Sequence, residues 1–265
     1  MIRSAALTRC AVIAVVSPKG GPGKTTVTAL LGSLLAELRR DPVVALDANP
    51  DMGDLIDKLS AGGVGASAEV NNLAAWLGAH PDAPPAQLWS RLGVGPHGLR
   101  WIASPRPPTA TKERMIEAAD YDLYRGLLTR LRDYAGIILV DCGTGLLDPP
   151  VRAALEAADQ ILLITDSSAT TARQVVAAAG LLPEGTPTWL VANQMPLKGS
   201  MLDLDQVIAA IPRLRGLAVV PTPPRGRPAE SIVTPDFRWP EAPAGWQQPI
   251  RELAARLATN WSTRP

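Results

Sequence analysis

The chain is poor in cysteine. Its 265 residues include two, Cys10 and Cys142, too few and too far apart for a disulfide framework or a paired metal site, so both are expected as buried thiols. Lysine is nearly as scarce, at five residues, and the net charge is only +1. That charge leaves no global field for nucleic acid or a membrane, and any such contact has to come from a local patch. Nor does any stretch approach the roughly 18 uninterrupted apolar residues of a membrane span. The opening MIRSAALTRCAVIAVV places arginines ahead of an apolar run, as a signal peptide does. The run leads straight into a glycine-rich loop that cleavage would destroy, so a soluble, cytoplasmic protein is expected. With 46% hydrophobic residues the chain can bury one substantial core, and residues 1–265 read as one domain.

What is present is concentrated in Ser17–Thr26, SPKGGPGKTT, which holds two of the five lysines. It follows the apolar run Ala11–Val16 and opens a helical pattern of Val27, Leu30, Leu31, Leu34 and Leu38. Gly20, Gly21 and Gly23 lack a Cβ, so the backbone can fold tightly around Pro22 and turn N–H groups toward phosphate oxygens at a helix N-terminus. Lys24 would reach the β- and γ-phosphates, with the Thr25 hydroxyl on Mg²⁺ and Thr26 completing the cradle. The usual phosphate-loop pattern asks for glycine where Pro18 stands. The sequence fits instead the variant K-G-G-x-G-K-T, in which Lys19 is a second lysine.

Short apolar runs recur at Val43–Leu46, Trp101–Ala103, Ile137–Val140, Ile161–Ile164, Trp189–Ala192 and Leu217–Val220, with helical segments between. Such alternation predicts a doubly wound α/β fold, a mostly parallel sheet with helices on both faces and ligands at the carboxyl ends of the strands. Asp47, Asp141, Asp166 and Asn193 fall at those ends. A helix is predicted over Tyr121–Tyr134, with Leu123, Leu127, Leu128 and Leu131 on one face. Residues 61–118, rich in Ala, Pro and Gly, read as a surface excursion with helical pieces at Leu73–Leu77 and Pro85–Leu92.

The two-lysine loop resembles that of the MinD/ParA group of P-loop ATPases, which implies ATP and Mg²⁺ as cofactors and an ATP-sandwich homodimer. In that group the extra lysine, here Lys19, contacts the nucleotide held by the facing subunit. Arg132–Gly145, RDYAGIILVDCGTG, looks like the group's Walker B strand and second switch, which makes Asp141 the carboxylate that holds a Mg²⁺-bound water. Leu46–Leu55, LDANPDMGDL, resembles the first switch, with Asp47 a further metal-side and catalytic carboxylate. Where the group has a second aspartate this chain has Asn49. A general base is worth roughly 10²- to 10⁴-fold, and an amide can only orient water, as glutamine does in some GTPases. Slow hydrolysis is expected, with Asp47 and Asp51 as alternative carboxylates. The strand-end Asn193 matches the asparagine that bonds the adenine edge, and Val219–Pro224, with Pro221, resembles the loop covering the base. The combination looks most like MinD-like ATPases of actinobacteria, some linked to type VII secretion.

The resemblance implies a switch for intracellular positioning, partition or secretion-complex assembly, working through a scaffold or regulatory protein. A metabolic ATPase of the dethiobiotin synthetase type and a regulator that binds nucleotide without hydrolysing it are the alternatives. Arg213, Arg215, Arg225 and Arg227 read as either a non-specific DNA contact or a solvated rim. The terminal helix, about Gln247–Trp261, carries Ile250, Leu253, Leu257 and Trp261 on one face, which would lie on a membrane surface or pack against the sheet. Val233–Pro243 reads as a loop whose aromatics could meet a partner.

Overall fold

The computed structural model describes residues 2–49, 53, 55–59, 76, 80, 82–103, 121–197, 199, 202–222 and 239–261. Eight strands form one sheet: β1 (Ala11–Val16), β2 (Val43–Ala48), β3 (Gly93–Val94), β4 (Arg100–Ile102), β5 (Ile137–Cys142), β6 (Gln160–Thr165), β7 (Thr188–Met195) and β8 (Leu214–Pro221). Their order is β3-β4-β2-β5-β1-β6-β7-β8. Every pairing is parallel except β3 with β4. The parallel strands are apolar on both faces because helices cover both.

The helices are α1 (Lys24–Leu38), α2 (Leu55–Leu59), α3 (Pro85–Arg91), α4 (Tyr121–Leu131), α5 (Pro149–Ala157), α6 (Ala169–Ala179), α7 (Leu204–Ala210) and α8 (Ala244–Ala258). Two cores result. Alternate residues of the central strands, such as Ile13, Val15, Ala45 and Leu139, pack with α1, α2 and α8. Their neighbours Val12, Ala14, Val44 and Val140 pack with α3, α4, α5, α6 and α7. This period-two alternation assigns the side chains of the central strands to one layer or the other.

Two expectations change, for residues 61–118 and for Val233–Pro243, and the packing alternative holds for the terminal stripe. The described part of residues 61–118 does not lie wholly outside the sheet, since it supplies the edge pair β3 and β4. Gly93 permits this, because a Cβ there would stand 2.1 Å from the Trp101 ring. The Leu73–Leu77 piece lies outside the described residues except for Trp76. The stripe Ile250, Leu253, Leu257 and Trp261 is buried in the α1 core, so it is occupied in packing and not presented to a membrane. Trp239 of the Val233–Pro243 stretch is likewise fully buried, while Phe237 lies outside the described residues. No helix among the described residues is long and apolar enough to cross a membrane.

Candidate functional site

The glycine-rich loop joins the end of β1 to the start of α1. Gly21 has φ 100° and Gly23 has φ 89°, left-handed values that glycine adopts without steric cost. Gly23 is the N-cap of α1, its carbonyl accepting the first helical bond from Val27 N–H at 3.0 Å. The first turn of α1 carries no acidic residue and no side-chain cap. The positive end of the helix dipole and its leading N–H groups are therefore directed at whatever anion the loop encloses. Lys24 is buried, and its Nζ donates to the Lys19 carbonyl at 3.3 Å. Thr25 is half-buried and Thr26 buried in the same turn.

Lys19, half-buried, sends its Nζ to Thr171 Oγ1 at 3.2 Å, across to the first turn of α6. Sequence reasoning gives no sign of this contact, because Thr171 lies 152 residues along the chain.

The carboxylates arrive by register. Asp47 on β2 is the direct partner of Asp141 on β5, and the two are 0% and 2% exposed. Alternation along each strand places both on the face that carries α1 and the loop. Asp47 Oδ1 accepts the Asn49 N–H at 3.0 Å, which folds the chain back as it leaves β2. The backbone of Gly53 lies against the same carboxylate, since a Cβ there would stand 2.0 Å from Asp47 Oδ2. Asn49 is half-buried beside it, and Asp51 lies outside the described residues. After Asp141, the turn at Thr144 faces the loop, with Thr144 Cγ2 4.0 Å from the position of a Cβ on Gly20.

Burial raises the Cys142 thiol, and the neighbouring Asp141 carboxylate raises it further while Lys24 opposes. Its thiol is held neutral against the back of the site. Burial likewise pushes Cys10 up to about 12, with Arg132 opposing.

The remaining predicted residues divide. Asn193, 5% exposed at the end of β7, donates from Nδ2 to the Pro22 carbonyl at 2.8 Å. Its neighbour Gln194 donates from Nε2 to the Gly21 carbonyl at 3.0 Å. Gln194 was not anticipated, although two consecutive amides ending an apolar run beside a glycine-rich loop are a readable signal. Pro221 ends β8 beside Met195, and its carbonyl accepts the Trp246 indole N–H at 2.9 Å. Asp166 stands apart from the loop contacts, capping the turn into α6 through Ser168 N–H at 2.8 Å. Arg213 and Arg215 flank the start of β8, at the end of the sheet opposite the loop, and Arg213 pairs with Glu184 at 3.8 Å. Arg225 and Arg227 lie outside the described residues.

Two buried carboxylates in register, with Lys24 and the N–H groups of α1 nearby, fit a divalent cation bound together with phosphate. Among the described residues no group of three or more His, Cys, Asp or Glu side chains could hold a metal ion by itself. The carboxylate pair suits Mg²⁺, which keeps waters and phosphate oxygens as its other ligands.

A sequence profile of the CobQ/CobB/MinD/ParA nucleotide binding domain matches residues 13–230. The ESX-1 secretion-associated protein EspI of Mycobacterium tuberculosis is 32% identical over 166 residues, 63% of this chain and 23% of that protein. The chain thus spans about a quarter of that relative's length. An uncharacterized ATP-binding protein of Methanocaldococcus jannaschii is 28% identical over 92% of this chain and 86% of its own. In fold the chain is similar to a septum site-determining protein MinD of Pyrococcus horikoshii, solved with Mg-ADP, at a TM-score of 0.70 and 20% identity over 96% of both chains.

Proposed function

Because the chain belongs to the CobQ/CobB/MinD/ParA nucleotide-binding family, we propose that it is an ATP-dependent molecular switch. ATP with Mg²⁺ closes two copies into a sandwich, and slow hydrolysis reopens them. The observation that carries this reading is the convergence of Lys19 and Lys24 on one loop, at the N-terminus of α1, beside the buried Asp47–Asp141 pair. Among the described residues the contact of the half-buried Lys19 side chain is with the Thr171 hydroxyl, a neutral partner that does not by itself call for a cation.

When bound, Mg²⁺ would supply charge neutralisation between phosphate oxygens, held by Thr25 and, through water, by Asp141 and Asp47. Lys24 and the N–H groups of α1 bind and orient the phosphates. Asn49 orients a water at the terminal phosphate but cannot take its proton, so turnover is slow. Moving a population from 1:99 to 99:1 needs about 5.5 kcal/mol of differential binding. Charge-assisted contacts from Lys24 in one copy and Lys19 in the other are of the right order for this.

Adenine selectivity fits Asn193. With one Nδ2 hydrogen committed to Pro22, Asn193 keeps its Oδ1 acceptor and a second Nδ2 hydrogen to offer a base. The Oδ1 acceptor suits the exocyclic amine of adenine.

The names of the secretion-associated relative and the septum-determining neighbour support a role in positioning or assembly, with a scaffold or regulatory protein as partner. Equilibrium binding and phosphate release test the nucleotide reading. Lys24→Ala is expected to weaken ATP binding at least about tenfold and to abolish phosphate release. A parent chain that binds no ATP overturns it.

A further inference from the structure

We infer that Gln194 is a positioning residue of the nucleotide site, acting with Asn193 to set the phosphate loop from the base side. The inference deepens the proposed function and rests on it. In an ordinary strand, consecutive side chains point to opposite faces, so Asn193 and Gln194 should not both reach one loop. Both do, at 2.8 and 3.0 Å, to successive carbonyls of Pro22 and Gly21.

The backbone shows how. Gln194 has φ 55°, left-handed for a residue with a Cβ, and the pairing of β7 with β8 slips between Ala192 and Met195. That conformation re-aims the second amide onto the loop. Strain of this kind persists where the surroundings enforce it and gathers at functional sites.

The two bonds fix peptide planes. A trans peptide holds its C=O and N–H antiparallel, so Asn193 on the Pro22 carbonyl turns the Gly23 N–H away from β7. Gln194 fixes the Gly21–Pro22 peptide, which has no N–H because its nitrogen belongs to proline. Of the two anchored planes, one presents a donor and the other is a rigid spacer between left-handed glycines. Asn193 also packs so closely on Gly23 that a Cβ there would stand 2.3 Å from its Nδ2. The amide pair thus holds the loop in its phosphate-ready shape before a ligand arrives, and ties that shape to the strand end where the base is read.

Gln194→Met keeps the length and the strain but removes the donor, whereas Gln194→Gly removes both. Binding of ATP with Mg²⁺, ADP and inorganic tripolyphosphate would be measured for the parent and both variants, with the ligand-free thermal midpoint of each. All three ligands are expected to bind about tenfold more weakly to both variants, while the midpoint of Gln194→Gly equals or exceeds the parent's. Tripolyphosphate is the informative ligand, because it has no base and reports the loop alone. If both variants bind within twofold of a parent that binds well, the inference fails and the nucleotide reading stands. If the parent binds none of the three, the nucleotide reading fails and takes the inference with it.

Discussion

Asp47 and Asp141 are register partners on neighbouring parallel strands, so two buried carboxylates stand side by side beneath the phosphate loop. A divalent cation bound with phosphate would offset their shared negative charge, with the buried Lys24 nearby. Asp141→Asn is expected to weaken Mg²⁺-dependent ATP binding about tenfold or more, and so to lose most of the rise in thermal midpoint that Mg²⁺-ATP gives the parent. Calorimetric melting with and without Mg²⁺-ATP checks this.

In the proposed switch, Asn49 takes the place of a carboxylate that would serve as base. The parent should turn over far below about 10 s⁻¹, the ordinary enzyme value. Asn49→Asp is expected to accelerate phosphate release by roughly 10²-fold. Single-turnover assays decide this, and a parent already as fast as the variant contradicts the role given to Asn49.

Arg39 joins three parts of the chain. Its buried guanidinium pairs with Asp41, donates to the Ile2 and Ala5 carbonyls, and lies 4.8 Å over the Trp261 ring. Arg39→Ala is expected to cost about 1–3 kcal/mol through lost charge-assisted hydrogen bonds and packing, since the Asp41 left behind is partly exposed. Arg39→Lys should recover only part, because an ammonium cannot match a planar fork over a ring. Denaturant unfolding measures both.

The two thiols predict a pH dependence. Burial raises both in the folded state, Cys10 to about 12. The neutral form is thus favoured by folding, and this stabilisation is fully present below pH 9, the unfolded value, and is lost as pH rises from there toward 12. Stability should fall over that alkaline window. At neutral pH native protein should resist iodoacetamide, which attacks the thiolate, and rapid native labelling would contradict the burial.

Much of this was legible in sequence because it is written in strong local patterns. The glycines and lysines of Ser17–Thr26, and the apolar runs ending in Asp47 and Asp141, locate the loop and its carboxylates without a structure. Strand β3 was not legible, since two residues starting with Gly93 carry no periodicity. The reach of Lys19 to Thr171 and the re-aimed Gln194 were hidden for another reason. Each depends on long-range placement or a backbone torsion that side-chain identity does not encode. The terminal stripe was visible, but whether Ile250 and Leu257 met lipid or core was decided only by the packing of α8 against α1.

The central claim is that nucleotide state sets assembly through Lys19. Light scattering coupled to size exclusion, on the parent and Lys19→Ala without nucleotide, with ADP, and with ATP and Mg²⁺, tests it most directly. The parent is expected to be a dimer with ATP and Mg²⁺ alone, and Lys19→Ala a monomer throughout. A mass that ignores nucleotide although ATP binds, or a Lys19→Ala chain that dimerises like the parent, would contradict it.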